Sequence, residues 1–212
     1  MASTRLRGRQ AEARDNDRRI LDAALAAFCE NPSAPISAVA DRAGVGQASL
    51  YRRFASKEAL LERVCSDGMG RILAAAELAL AEQDPHDGLV GFLRWYLDSG
   101  TLRLAGLLGS FEPGAHLFVL AHEANEAMQA LVEGAQAAGA IRADVTGADL
   151  TLLLAQLATL DRPDRDRTAA LRRRYLTLVI QGLTRRDAPA LPGPAPDGPE
   201  LEAPWRERAG PV

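Results

Sequence analysis

Between Ile36 and Lys57 the chain reads ISAVADRAGVGQASLYRRFASK. Two short helical patterns meet there across one glycine turn, and few arrangements accommodate so close a crossing. Ala40 leaves room where the helices touch, and Gly44 supplies the left-handed backbone that ends the first of them, a conformation costly for a residue with a Cβ. Ile36, Val39, Val45 and Leu50 form an apolar wedge beneath. Gln47, Ala48, Ser49, Tyr51, Arg52 and Arg53 are left to project from the second helix, which suits the major groove of B-DNA with its early residues at base edges. A helical hairpin in an ordinary bundle is the other arrangement that Ala and Gly at a tight crossing allow.

Composition points to an all-α protein. Of 212 residues 47% are hydrophobic but only 5% aromatic, and no long stretch alternates with a period of two. No window approaches the roughly 18 uninterrupted apolar residues of a membrane span, and no apolar segment follows the N-terminal arginines, so a soluble cytoplasmic protein is expected. The net charge of −3 is unevenly spread. Residues 1–63 hold 11 basic and 8 acidic side chains, a balance of +3 that leaves −6 for the remainder. A basic head on an acidic body suits a DNA binder, and a mixed surface is the ordinary alternative.

Three stretches carry a family likeness: RRILDAALAAF (Arg18 to Phe28), AVADRAGVGQASLYRRF (Ala38 to Phe54) and SKEALL (Ser56 to Leu61). Together they resemble the N-terminal DNA-binding domain of the TetR family of bacterial transcriptional regulators. The likeness implies a three-helix helix-turn-helix domain joined by a long helix to an antiparallel helical bundle for ligand binding and dimerisation, about nine helices in all. It also implies that Tyr51 and Lys57 bind the DNA backbone. Lys57 is the one lysine among 25 basic residues, and it sits in a helical first turn, where a cation opposes the helix dipole; a solvated surface lysine is the alternative. The family's connection before the helix-turn-helix is usually longer and includes a threonine that can bond a phosphate. This sequence lacks it, and Ser33 or Ser37 could replace it.

The chain divides into a mobile basic arm (1–16), the helix-turn-helix domain (17–63), a helical body (64–186) and a Pro-rich disordered tail (187–212) containing Trp205. Ile20, Leu21, Ala24, Leu25 and Phe28 share one face of a first helix beginning near Asp17. From Lys57 an apolar pattern runs to Leu80 as a long linking helix. Gly68 and Gly70 each weaken that helix by roughly 1 kcal/mol relative to alanine, and both invite bending. Pro85 interrupts the pattern, which resumes from Leu89 to Ser99. A short segment follows from Leu102 to about Leu108, then a loop at Phe111 to Gly114 and a long helix from His116 to about Ala138. Thr146 and Asp149 resemble a capping box at the start of the next helix. That helix, to Leu160, is apolar nearly all round, and the last, from about Asp164 to Arg185, repeats the pattern. Packing both against a twofold-related copy through Leu150, Leu153, Leu154, Leu157, Tyr175, Leu178 and Val179 would bury the extra face and give a homodimer. Two fully internal helices of a monomer fit the same pattern.

Catalytic and cofactor signatures are missing from the sequence, so neither an enzyme nor a cofactor is expected. Cys29 and Cys65 read as small buried hydrophobes in a reducing compartment. His122 and Glu126, at i and i+4 with His116 nearby, lack a third ligand, and no metal site is expected. The family likeness places an effector pocket among the body helices, where Phe92, Trp95, Tyr96, Leu107, Phe111, Phe118, His122 and Met128 would suit a hydrophobic or aromatic molecule; plain core is the competing reading. The expected function is a dimeric repressor on a near-palindromic double-stranded operator, released by a small-molecule effector. Gln47, Ser49 and Arg52 are candidates for base edges, and Ser37, Tyr51, Arg53 and Lys57 for phosphates, with Ala48 at the groove surface. A ligand-independent architectural DNA binder is the main alternative, and a helical enzyme a more distant one.

Overall fold

The computed structural model describes residues 2–107 and 110–201. Among them are eight α-helices, α1 Ala2–Glu30, α2 Ile36–Ala43, α3 Gln47–Arg53, α4 Lys57–Leu80, α5 Pro85–Asp98, α6 Ala115–Ala137, α7 Gly147–Thr159 and α8 Arg165–Leu183, and one 3₁₀ helix, Thr101–Leu107, between α5 and α6. The all-α class and the two-part plan expected from the sequence are both present. No helix among the described residues is long and apolar enough to cross a membrane.

The head is built by α1, α2 and α3 on the first turns of α4. Ile20, Ala24 and Phe28 of α1 are buried against Val39, Ala40 and Leu50. Gly44 adopts φ 66°, and the Val45 amide closes back onto the Ala40 carbonyl at 3.0 Å, the six-to-one bond of a Schellman stop. Arg19 of α1 donates to the Ala43 carbonyl at 2.8 Å and satisfies one of the orphan acceptors at the same helix end. Ser56 caps α4 by accepting from the Ala59 amide.

Helix α1 reaches back to Ala2, so the segment read from sequence as a mobile arm has helical backbone. Residues 2–16 lack an apolar period but contain Ala, Arg, Gln and Glu, which propagate a helix already nucleated by the packed part.

In the body, α4 is flanked by α5 and α6. Pro85 does not break a helix but opens α5 at a first-turn position, with Asp84 accepting from the His86 amide at 2.8 Å. The Gly114 amide, just ahead of α6, donates to Glu62 on α4. The 3₁₀ helix is wedged among α1, α4, α5 and α7, its Leu104 seated on Gly68. The capping box at Thr146 and Asp149 is present in both directions.

Beyond α8 the chain is strapped to the α6–α7 connection. Arg142 donates to the Pro189 carbonyl, and Asp144 accepts from the Leu191 amide, both at 2.8 Å. The disordered tail expected from 187 onward is therefore held in place at its start by partners that composition does not reveal. Trp205 lies outside the described residues, as do the ends of the short segment at Leu108 and Gly109.

Candidate nucleic-acid interface

Helix α3 has one buried residue, Leu50, which locks it to the head. With that anchor facing inward, Gln47, Ala48, Tyr51, Arg52 and Arg53 are exposed and Ser49 half-buried. These residues share one short, convex element, as the sequence pattern requires. Ser37 lies in the first turn of α2, half-buried, while Ser33 is exposed in an Asx turn whose amide donates to Asn31 Oδ1.

The three cations near this surface are unequally available. Arg52 is exposed and has no hydrogen-bond or ion-pair partner among the described residues. Arg53 is ion-paired with Asp17 of α1, a tie between α3 and α1 that the sequence did not reveal. Lys57 donates to the Pro32 carbonyl and places its ammonium 5.1 Å from the centre of the Phe28 ring. The helix-dipole conflict noted for this lysine thus has a local resolution: a carbonyl and an aromatic face hold the cation over the α1–α2 connection. Its remaining donors stay available.

In the body the eight candidate pocket residues divide between core and surface. Phe92, Leu107 and Met128 belong to the core. Phe92 packs on Trp95 and Tyr96 with ring centroids 6.0 Å apart in each case, and Trp95, Tyr96 and Phe111 lie half-buried against that core. Burial pushes the Tyr96 phenol up to about 12. Phe118 and His122 are exposed on α6, His122 standing 3.4 Å from Glu126. A cavity of about 10 Å³, room for roughly one water, lies at the head–body junction, lined by Leu21, Val64, Gly68, Arg71, Thr101 and Leu104, and a larger one of about 150 Å³ lies between α5 and α8, lined by Arg94, Leu97, Asp98, Arg173, Leu176 and Ile180. Among the described residues no group of three His, Cys, Asp or Glu side chains is placed to hold a metal ion. Cys65 is buried and its thiol pushed up to about 12 by that burial, while Cys29 is half-buried and donates to the Arg103 carbonyl.

The expected dimer set also divides. Leu150 and Leu154 are 1% and 3% exposed inside their own chain, so they cannot face a partner. Leu153, Tyr175 and Leu178 are the outward members, Leu178 at 56% exposure, with Leu157 and Val179 half-buried beside them. Neighbouring positions of one apolar helix differ in burial here, and periodicity alone does not say which is which.

Two family models match the chain. Residues 20–64 match the bacterial regulatory proteins of the tetR family, and residues 84–185 match the C-terminal domain of SbtR-like transcriptional regulators. A comparison with curated proteins gave no match. Among solved structures, the TetR transcriptional regulator SCO0520 of Streptomyces coelicolor is 32% identical, with 79% of this chain and 97% of that one covered at a TM-score of 0.62. A TetR regulator of Mycobacterium vanbaalenii is 29% identical, covering 82% and 98% at 0.58. PfmR of Thermus thermophilus is 25% identical, covering 79% and 96% at 0.58.

Proposed function

The chain belongs to the TetR family of bacterial transcriptional regulators, DNA-binding proteins without enzymatic activity, and from that premise we propose that it is a homodimeric cytoplasmic repressor released from a near-palindromic operator by a small hydrophobic effector. The observation that carries the DNA-binding part is the face of α3: one buried leucine beneath, and Gln47, Ala48, Tyr51 and an Arg52 without a partner among the described residues above. Gln47, Ser49 and Arg52 meet base edges, while Ser37, Tyr51, Arg53 and Lys57 lie toward phosphates. Two such helices in successive major grooves stand about 34 Å apart. The exposed apolar residues Leu153, Tyr175 and Leu178 on α7 and α8 supply the contact between subunits.

Effector control rests on coupling between body and head. A ligand that prefers the body conformation in which the heads are misplaced releases DNA, and coupling of about 1–3 kcal/mol is enough for a useful response. Trp95 and Tyr96, half-buried beside Phe92, are candidates for contact with an apolar ligand. A mobility-shift assay with the DNA flanking the protein's own gene tests the reading. Wild-type protein is expected to shift it and Arg52→Ala to lose most of that shift; no shift at low salt removes the repressor. Thermal-shift screening with hydrophobic effectors then separates a sensor from an architectural binder, since a ligand stabilises the state it binds.

A further inference from the structure

Glu30, the last residue of α1, holds two arginines that come from distant parts of the chain. Its carboxylate receives Arg42 in a fork, Nη1 to Oε2 at 2.6 Å and Nη2 to Oε1 at 3.0 Å, and Oε1 also receives Arg165 Nη2 at 2.9 Å. Arg42 lies on α2, inside the helix-turn-helix, whereas Arg165 is the first residue of α8 and 135 positions from Glu30. One residue earlier, Cys29 Sγ donates to the Arg103 carbonyl of the 3₁₀ helix at 3.3 Å. The end of α1 is therefore tied to α2 on one side and to two elements of the body on the other. This path from head to body is separate from the covalent one through α4.

The charges make the junction directional. One carboxylate faces two guanidiniums, so removing it leaves two like charges opposed across the head–body boundary. The ion pairs are between a third and three-quarters exposed, which limits their worth to overall stability. Geometry is the larger consequence. A bidentate fork on one arginine and a single bond to the other fix the carboxylate between them, and α8 carries the apolar residues proposed to join subunits. The carboxylate thus stands between the helix-turn-helix and the helix proposed to join subunits.

We propose that Glu30 is a positioning residue for operator binding, a strut that joins the helix-turn-helix through Arg42 to the dimerisation helix through Arg165. The role rests on the dimeric operator-binding reading above. Both half-sites must be met at once, so a head free to swivel binds a full operator more weakly although its own DNA-facing side chains are intact.

The test uses the full chain and the operator found by the mobility-shift assay. Arg165→Ala is expected to weaken binding to the two-half-site operator by about fivefold or more, to leave binding to an isolated half-site unchanged, and to keep the salt dependence of wild type. Arg165→Lys, which retains one donor for Oε1, is expected to restore full-operator affinity. Glu30→Gln, which also places Arg42 opposite Arg165, is expected to exceed the loss seen in Arg165→Ala. A salt slope lowered by about one would mean that Arg165 is itself a phosphate contact and would overturn the strut. Equal affinities of Arg165→Ala and wild type for the full operator would overturn it too. If wild type shifts no DNA, the operator reading falls, and this role with it.

Discussion

Gly68 on α4 and Leu104 on the 3₁₀ helix touch so closely that a Cβ on Gly68 would stand 2.4 Å from Leu104 Cδ1 and 3.2 Å from its Cγ. This contact seats the 3₁₀ helix against the helix that links head to body. At Gly70, two residues on, a Cβ would meet nothing within 4 Å. Both are helical, so either gains roughly 0.5–1 kcal/mol from alanine by reduced backbone entropy. At Gly68 that gain is opposed by overpacking of a buried leucine, about 1–3 kcal/mol. Gly70→Ala is therefore expected to raise the denaturation midpoint and Gly68→Ala to lower it. A rise in both would show that Leu104 repacks freely.

The pairing of Arg53 with Asp17 and the freedom of Arg52 make two adjacent arginines unequal. Arg52→Ala is expected to cost about 1–3 kcal/mol of operator affinity and to relax discrimination between operator and unrelated DNA. Asp17→Asn should do the reverse for non-specific binding: it removes a carboxylate beside the DNA face and frees Arg53, so affinity for any duplex rises and the salt dependence steepens. Titrations at several salt concentrations check both, and an unchanged slope in Asp17→Asn would mean that Arg53 contacts no phosphate even when released.

What could be read from the sequence was local. Gly44, Leu50 and the Thr146–Asp149 box each act within one or two turns, so their spacing alone locates the helix-turn-helix and the start of α7. The helical backbone of residues 2–16 was hidden because it rests on propensity without an apolar stripe. Leu150 and Leu153 look alike in sequence, yet one is core and the other surface, since only the packed fold says which face of α7 its own chain covers. Gly68 and Gly70 likewise differ only through Leu104. Asp17 with Arg53 and Glu30 with Arg165 join positions that no short-range pattern connects.

The split within the apolar helices lets the proposed assembly be tested apart from stability. Leu178 is 56% exposed and Leu154 3% exposed. On the proposed dimer, Leu178→Glu is expected to leave the fold intact and to sediment as a monomer at concentrations where wild type sediments as two subunits, with weaker operator binding. Leu154→Ala should remain a dimer and lose about 2–5 kcal/mol of unfolding free energy through the cavity it leaves. If Leu178→Glu sediments as wild type does, the subunits meet elsewhere.

Glu30 is held down to about 2 from an ordinary 4.5, first by the hydrogen bond from Arg42 and then, against opposing desolvation, by the Arg42 charge and by the hydrogen bond and charge of Arg165. A folded-state value below the unfolded one means that the carboxylate adds stability wherever it is ionised in both states, above about 4.5. That contribution is lost as pH falls toward about 2, where the folded state must also take up the proton. The group is largely solvent-exposed, so screening keeps the contribution small. Wild type is accordingly expected to exceed Glu30→Gln slightly in urea midpoint at pH 6, with the gap narrowing below pH 4.5 and closing near pH 2. Raising the ionic strength at pH 6 should shrink the same gap, because both arginines sit where salt reaches them. A gap that is constant from pH 6 to pH 2.5 would mean that the variant differs through packing, and that the charge of Glu30 does not hold its two arginines.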